Sequence, residues 1–209
     1  MARTAKPYHH GSLREAVIAA AVAEVELVGP QGVSLREISR RAGVSHAAPQ
    51  HHFGDRAGLF TAIATQGFRM AAETIGVAAV GEFGFLDGGA AYVLWAIEHP
   101  GYFEVMYRPR LYRQDDPELI EAKDAAFAVL EGSGAELART WSLEDPAALV
   151  LAGWSLAHGL ATLLLAGNLD GLIPPTLEEI TLQLGRGIVG LGSVVAARAE
   201  SFSAASAPR

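Results

Sequence analysis

Side chains that can hydrogen-bond to nucleic-acid bases are concentrated near the N-terminus, at residues 45–52. Gln50 and three histidines lie there among serine, alanine and proline. Glutamine and histidine hydrogen-bond to base edges, and small neighbours let a helix backbone approach the floor of the DNA major groove. Arginines that can contact phosphate oxygens surround the stretch. They are Arg36, Arg40, Arg41 and Arg56. Simple solvation of these polar groups is the alternative interpretation.

A first short helix must hold one side of this stretch. Ser34 lies three residues before Glu37, which is the spacing of a reciprocal cap at a helix start. Ile38 and Ala42 then fall on one face of the helix that follows. Gly43 comes next, and glycine suits the left-handed residue at which a helix commonly ends.

A second short helix, predicted at residues 46–52, carries the polar side chains themselves. Ser45 is placed to cap it, and Pro49 in its first turn costs little because the missing amide would be unpaired there. A longer third helix begins at Arg56, where a guanidinium and free backbone amides can hold a phosphate together. The pattern predicts a helix-turn-helix, which presents its second helix to the major groove.

Composition and charge agree with a DNA-binding head. The chain has 209 residues, enough for one or two domains, and no cysteine, so disulfides and cysteine-based zinc sites are excluded. Residues 1–69 carry eight Lys+Arg and five Asp+Glu, a net charge of +3, whereas residues 70–209 carry eight and eighteen, a net charge of −10. A basic head on an acidic body suits a protein that meets DNA with one end. The first residues lack the apolar core of a secretory signal, so we expect a cytoplasmic protein.

Residues 34–60 resemble the DNA-binding signature of TetR-family transcriptional regulators. The matching features are the small capping residue Ser34, Ala-Gly-Val-Ser at 42–45, His52 with Phe53, Asp55 with Arg56, and the upstream stretch 8–21, which resembles the entry to the family's first helix. One position differs from the family pattern. Gln50 stands where the family usually has a tyrosine that contacts the DNA backbone, and a glutamine there can read a base instead.

The C-terminal part resembles the TetR subclass named for its Trp-His-Gly motif. The matching segments are 91–93, 99–103 and 154–159. The two resemblances imply an all-α fold of about nine helices, with a three-helix helix-turn-helix domain and a C-terminal helical domain for ligand binding and dimerisation. They also imply a homodimeric regulator, usually a repressor, that binds a palindromic operator in double-stranded DNA and is released by a small effector. No cofactor or metal is expected.

The helix signals predict the layout of the chain. The predicted parts are a flexible arm at 1–10, the DNA-binding domain at 11–60, the ligand-binding and dimerisation domain at 61–198, and a disordered tail at 199–209. The first helix is predicted at residues 12–28, with Ser12 and Glu15 as a second capping pair. Glycines predict a loose junction at residues 81–89 and a kink or interruption at residues 132–134.

Residues 146–168 form the most apolar stretch and contain no charged residue. The length alone permits a membrane span. Asp145 and Asp170 flank the stretch directly, however, and no basic cluster is present to set a topology. A helix that is apolar on all sides is also typical of a buried core or a dimer interface, which we favour, so no membrane partner is expected. The next helix contains glycines that allow close approach of a symmetry mate. They are Gly185, Gly187, Gly190 and Gly192.

Two sets of candidate site residues follow. The DNA-binding set is Lys6, Ser34, Arg36, Ser45, His46, Ala47, Ala48, Pro49, Gln50, His51, His52 and Arg56. The ligand-binding set is Tyr92, Trp95, Phe103, Met106, Tyr107, Phe127, Trp154 and His158. These aromatic residues suggest an apolar pocket with few polar anchors, suited to a hydrophobic or aromatic effector. Ordinary packing is the alternative for each of them, and His158 is either hydrogen-bonded in the core or orients a ligand.

An enzyme with a metal or hydrolytic site is the competing class of protein. The histidine pairs at 9–10 and 51–52 are adjacent rather than four residues apart, so neither pair places two metal ligands on one helix face. No glycine-rich phosphate loop, Gly-x-Ser-x-Gly elbow or His-Glu-x-x-His motif occurs in the sequence. The sequence therefore predicts a regulator and not an enzyme.

Overall fold

The computed structural model describes residues 10–172 and 176–205, and every regular element in that part of the chain is an α-helix. The helices are α1 (His10–Gly32), α2 (Leu35–Ala42), α3 (Ala48–Phe53), α4 (Arg56–Ala78), α5 (Gly84–Glu98), α6 (Pro100–Met106), α7 (Pro117–Thr140), α8 (Pro146–Leu165) and α9 (Leu177–Ala205). The predicted all-α fold is confirmed. Lys6 and nearly all of the predicted N-terminal arm lie outside the described residues.

Local signals located several helix ends correctly. α2 ends at Ala42, and Gly43 adopts the left-handed conformation, with φ 65° and ψ 30°. α1 is interrupted at Gly29, where φ is 70° and ψ is 162°, although helical residues resume and continue to Gly32. α1 begins at His10, so Ser12 lies inside the helix and the predicted cap at Ser12 is wrong.

Two glycine-containing segments that we predicted as a loose junction at 81–89 and as an interruption at 132–134 are helical in part or throughout, since only residues 81–83 of them are non-helical. α5 already begins at Gly84, and α7 continues through residues 132–134. A Cβ atom at Gly88 would lie 3.1 Å from Ala79 Cβ, and one at Gly134 would lie 3.2 Å from the Phe85 ring. Close packing at these glycines therefore outweighs their low helix propensity.

At its C-terminal end α9 reaches Ala205, beyond the predicted end of the last helix near residue 198. The predicted disordered tail at 199–209 is therefore helical as far as Ala205. The remainder of that segment, residues 206–209, lies outside the described residues.

One compact unit is described from residues 10–70 and 99–125 and contains α1, α2, α3 and α6 together with most of α4. Its most deeply buried side chains include Ile18, Ile38, Phe60 and Val105. Helices α1 and α6 pack closely at Gly101, where a Cβ atom would lie 2.8 Å from Val22 Cγ1. The Gly101 amide donates a hydrogen bond of 3.2 Å to the Glu26 carboxylate. Gly101 is thus the residue that lets α6 lie against α1.

A second compact unit is described from residues 71–98, 126–172 and 176–205. In it α5 packs against both α8 and α9, and α8 and α9 pack against each other. Phe85 of α5 forms a buried cluster with Leu137 and Val150. The two units meet in sequence inside α4, at Met70 and Ala71. The functional boundary that we placed at residue 60 stays a prediction.

Helix α8 corrects one expectation. Only Val150, Ala157 and Ala161 are buried along its length, and Leu151 is 61% exposed. The helix is long and apolar enough to cross a membrane by length and composition alone. The prediction that this helix is buried in the core of the chain is therefore wrong for most of α8. A dimer interface is the other predicted role for the helix.

Candidate nucleic-acid interface

The turn between α2 and α3 is held by backbone hydrogen bonds. The Gly43 amide donates to Arg40 O at 3.3 Å, and the Val44 amide donates to Ser39 O at 3.0 Å. Both bonds close the end of α2 and satisfy carbonyls that have no partner inside the helix. The local sequence Ala-Gly-Val-Ser therefore fixes the direction in which the chain enters α3.

Neither predicted serine cap forms. Ser34 makes no side-chain cap bond to α2, and Glu37 accepts a hydrogen bond of 2.9 Å from Arg40 Nε. That bond also holds the pKa of Glu37 below its usual value. α3 begins at Ala48 rather than at residue 46, and Ser45 contributes its backbone carbonyl, which accepts from the Ala48 amide at 3.0 Å.

The side chains of α3 and its entry divide into an exposed face and a buried face. The exposed side chains are Ser45, His46, Ala47, Gln50 and His51, with His52 half-buried. Ala48 and Pro49 are buried together with Phe53. Ala48 and Pro49, which we predicted as DNA contacts, therefore support α3 from behind, and their side chains do not lie on the exposed face.

Phe53 anchors the buried face of α3. Its side chain is only 7% exposed, and the guanidinium carbon of Arg14 lies 5.5 Å from the centre of its ring. At the start of α4, a Cβ atom on Gly58 would collide with the carbonyl oxygen of Phe53. The exposed face formed by Ser45, His46, Ala47, Gln50 and His51, here named the recognition face, is therefore positioned by α1 on one side and by the close approach of α4 on the other.

Most arginines near this face already have partners. Arg40 is paired with Glu37, and Arg41 Nη2 lies 3.0 Å from the carboxylate of Glu24, which is buried. Arg36 is exposed and has no ion pair with any described residue. Among the predicted phosphate-binding residues, Arg36 is thus the one with an available charge in the described part of the chain.

Arg56 does not suit the phosphate-binding role that we predicted for it. Its guanidinium donates a hydrogen bond to the carbonyl of Pro30 and lies over the ring of Phe60, 5.2 Å from the centroid. The adjacent residue, Asp55, caps α4 by accepting from the Gly58 amide at 2.8 Å. This hydrogen bond lowers the pKa of Asp55, so a carboxylate occupies the position expected for a phosphate. Arg56 is therefore a link between the end of α1 and the start of α4.

Sequence reasoning missed two side chains that shape this site. Arg113 Nη2 pairs with Asp55 at 2.9 Å, and the Arg113 amide donates to Thr61 Oγ1 at 3.0 Å. No local pattern predicts this pairing, because the partners are far apart in the sequence. Arg14, by contrast, lies in the stretch that resembles the family's first helix, and its spacing on α1 was an available signal.

The predicted ligand-binding residues fall into two groups, one in each unit. Phe103, Met106 and Tyr107 belong to the first unit, where Phe103 and Met106 are buried. The other five belong to the second unit. They are Tyr92, Trp95, Phe127, Trp154 and His158. A single pocket formed by all eight residues stays a prediction.

Two contacts join members of the second group. Tyr92 Oη lies 2.8 Å from His158 Nδ1, which makes a hydrogen bond, and burial lowers the pKa of His158. The rings of Phe127 and Trp154 meet edge to face at a centroid distance of 6.5 Å, with Trp154 36% exposed. This unit also contains a groove of about 680 Å³ between α5 and α9, which none of the predicted ligand residues lines.

Comparisons with known proteins agree with this geometry. Residues 17–63 match the family described as "Bacterial regulatory proteins, tetR family", and residues 85–184 match "Tetracyclin repressor-like, C-terminal domain". Together the two matches cover more than half of the chain. The chain belongs to the TetR family of transcriptional regulators.

Solved structures share the fold of this TetR-family protein. A protein of unknown function from Rhodococcus sp. RHA1 is 33% identical, with a TM-score of 0.72 over 87% of this chain and 96% of that chain. The TetR-family regulator PfmR from Thermus thermophilus is 18% identical, with a TM-score of 0.61 over 81% and 95% of the two chains. SmeT in complex with triclosan is 19% identical, with a TM-score of 0.56 over 85% and 91%. A comparison with the curated proteins finds no match.

Family membership decides between the two classes of function that we weighed. A TetR-family chain is a DNA-binding transcription regulator, and the predicted assignment as a regulator rather than an enzyme is confirmed. The more specific assignment to the Trp-His-Gly subclass stays a prediction. The remaining individual DNA contacts and the ligand contacts also stay predictions.

Proposed function

We propose that this TetR-family protein is a cytoplasmic repressor that binds a palindromic operator as a homodimer and is released by a small hydrophobic or aromatic effector. The observation that carries the proposal is the exposed polar face of α3, with Gln50, His46 and His51 on a helix whose opposite side is anchored by Phe53. Such a face can enter the major groove and hydrogen-bond to base edges.

The homodimer is supported by the exposed side of α8. Its exposed residues have apolar or small side chains and no charge. They include Leu151, Ala152, Ser155, Thr162 and Leu163. On α9, Val189 is 70% exposed, and a Cβ atom added at Gly190 or Gly192 would meet nothing within 4 Å. An apolar surface of this extent indicates an interface with a partner. A second copy of the chain would bury it against the same surface across a two-fold axis.

The effector is supported by the second group of aromatic residues. The hydrogen bond between Tyr92 and His158 supplies a polar pair. Trp154 lies on the same helix as His158, is partly exposed, and meets the partly exposed ring of Phe127 edge to face. Apolar walls with a few polar anchors are typical of small-molecule sites. SmeT, which has a similar fold, was solved as a complex with triclosan. We propose a ligand of hydrophobic or aromatic character for this chain.

Arg36→Ala and Gln50→Ala should separate phosphate contact from base readout. Arg36→Ala removes an unpaired exposed cation, so it should weaken binding to all duplexes and flatten the dependence of log K on log salt by about 1 for each lost contact. Gln50→Ala should keep the salt dependence and relax preference at one position in each half-site, since a bidentate glutamine–adenine pair gives about 1–3 kcal/mol of discrimination. Fluorescence anisotropy with one fixed duplex and its point variants measures both effects.

Each variant serves as the control for the other. If Gln50→Ala lowers affinity equally for all base substitutions, Gln50 contacts the backbone like the family's tyrosine. If Arg36→Ala leaves the salt dependence unchanged, the phosphate contact is elsewhere. Failure of the unmodified protein to bind any duplex at low salt would reject the proposed function itself.

Trp154→Ala and His158→Ala should blunt the response to the effector while leaving ligand-free DNA affinity nearly unchanged. An effector acts by binding one conformation more tightly than the other, so loss of a ligand contact reduces the shift between them. Ligands are found by thermal shift and tryptophan fluorescence, and the response is operator release. Normal release by both variants would contradict the assignment of these residues to the pocket.

A further inference from the structure

The recognition face of α3 has no permanent charge. Between residues 44 and 54 the sequence contains no Asp, Glu, Lys or Arg, but it contains three histidines. His46 and His51 are exposed, His52 is half-buried, and the rings of His51 and His52 meet edge to face at 5.3 Å. Imidazole is the side chain that gains or loses its charge between pH 5 and 8.

Most of the charged groups on the helices around α3 already have partners. α1 and α2 both pack against α3, and α4 follows it directly. The charged residues of α1, of α2 and at the start of α4 are Arg14, Glu15, Glu24, Glu26, Arg36, Glu37, Arg40, Arg41, Asp55 and Arg56. Arg40 pairs with Glu37, Arg41 pairs with Glu24, and Arg56 is bonded to the Pro30 carbonyl. Asp55 pairs with Arg113, and Arg14 lies over Phe53.

Protonated histidines would therefore change the charge of the interface substantially. Arg36 is the cation near α3 that has neither an ion pair nor a hydrogen bond or ring contact of its side chain within the described residues, whereas Arg14 and Arg56 lie over aromatic rings. A positive imidazolium also donates hydrogen bonds from both ring nitrogens, to phosphate oxygens or to the O6 and N7 acceptors of guanine. The negative potential of DNA favours that charged form.

We propose that His46, His51 and His52 take up protons when α3 binds DNA, so that operator affinity increases as the pH falls. The proposal rests on the DNA-binding role that we propose for α3. The three imidazoles then act as contacts whose strength is set by pH, and recognition of the operator becomes linked to the proton concentration of the cell.

The sign and size of the effect follow from linkage. DNA stabilises the protonated form, so the gain in affinity is complete at low pH and is lost as the pH rises past neutrality. An imidazole that binds its proton about ten times more tightly in the complex than in the free protein gives about a sixfold loss of affinity between pH 6 and pH 8. Each protonated imidazole on a phosphate also steepens the salt dependence by about 1 at pH 6.

The test measures DNA affinity and proton uptake together. Affinity of the full-length protein for its selected duplex is measured by anisotropy from pH 6 to pH 8 at constant ionic strength. Calorimetry in two buffers with different heats of ionisation gives the number of protons taken up. His46→Gln, His51→Gln and His52→Gln are compared singly and in combination. His99→Gln is the control, because His99 precedes α6 and is not part of α3.

We expect the unmodified protein and His99→Gln to lose affinity by up to about 200-fold between pH 6 and pH 8, the product of three sixfold losses, and to take up protons on binding. The triple variant should show a flat pH profile and no uptake, and each single variant should lie between these limits. Equal affinity of the unmodified protein at pH 6 and pH 8 without proton uptake would overturn the inference, and so would an unchanged pH profile in the triple variant. Either result leaves the proposed DNA binding intact, whereas absence of binding to any duplex at any pH overturns both.

Discussion

Ala152→Arg is expected to convert the proposed dimer to monomers and to lower operator affinity by at least about 100-fold. Ala152 is exposed on the uncharged side of α8, next to Leu151 and one turn before Ser155. A guanidinium on this side would face the same residue or its neighbours across the two-fold axis, where it cannot be solvated. Linking two binding modules raises affinity by about 10²–10⁴ over either one alone, and this gain disappears with the dimer. Sedimentation velocity and anisotropy measure the two effects.

Ala128→Arg is the matched control for this substitution. Ala128 is also exposed and helical, but it lies on α7, whose sequence around it includes Asp124 and Glu131. An arginine there stays solvated, so the protein should remain dimeric and keep its operator affinity. If Ala152→Arg is still a dimer, or if both variants dissociate equally, α8 does not form the interface.

Gly58→Ala is expected to lower the stability of the protein by about 3 kcal/mol and to weaken DNA binding. The added Cβ would collide with the carbonyl oxygen of Phe53 and would lie 2.9 Å from an Arg113 nitrogen. A backbone carbonyl cannot move aside without shifting α3, and forced overpacking costs about 1–3 kcal/mol, occasionally more. The loss of stability and the loss of recognition should therefore occur together. Chemical denaturation monitored by circular dichroism gives the first, and anisotropy gives the second.

Gly132→Ala makes the same chemical change but is expected to have the opposite effect on stability. Gly132 is exposed inside α7, and a Cβ atom there would meet nothing within 4 Å. Alanine is preferred over glycine in a helix interior by about 1 kcal/mol, so this variant should be slightly more stable than the parent. Equal effects of the two substitutions would show that the contact between Gly58 and Phe53 does not hold α3 and α4 together.

Local sequence signals were sufficient to predict where α2 ends and where α4 begins. Gly43 ends α2 because a left-handed residue is required there, and Arg56 begins α4 where predicted. The serine caps could not be predicted reliably, because other partners compete for the groups that would form them. Glu37 pairs with Arg40 instead of returning to Ser34, and α3 begins where Ala48 and Pro49 can be buried.

Contacts between distant parts of the chain account for the remaining differences. Asp55 and Arg56 match the family signature, but their partners are Arg113 and the Pro30 carbonyl, which no local pattern indicates. The glycines inside helices also depend on distant contacts. At Gly88 and Gly134 another side chain lies so close that a residue with a Cβ atom would not fit without a shift. The hydropathy of α8 predicts an apolar surface, but it cannot distinguish burial within one chain from burial against a second copy.

Selection of bound sequences from random duplex DNA tests the central claim most directly. A dimer that places two copies of α3 in successive major grooves selects a two-fold symmetric site, with half-site centres about one helical turn, or about 34–36 Å, apart. We predict that the unmodified protein enriches such a palindrome and that Gln50→Ala enriches the same palindrome with one degenerate position in each half-site. Recovery of no enriched sequence, or of sites without two-fold symmetry, would contradict operator recognition by a homodimer through α3.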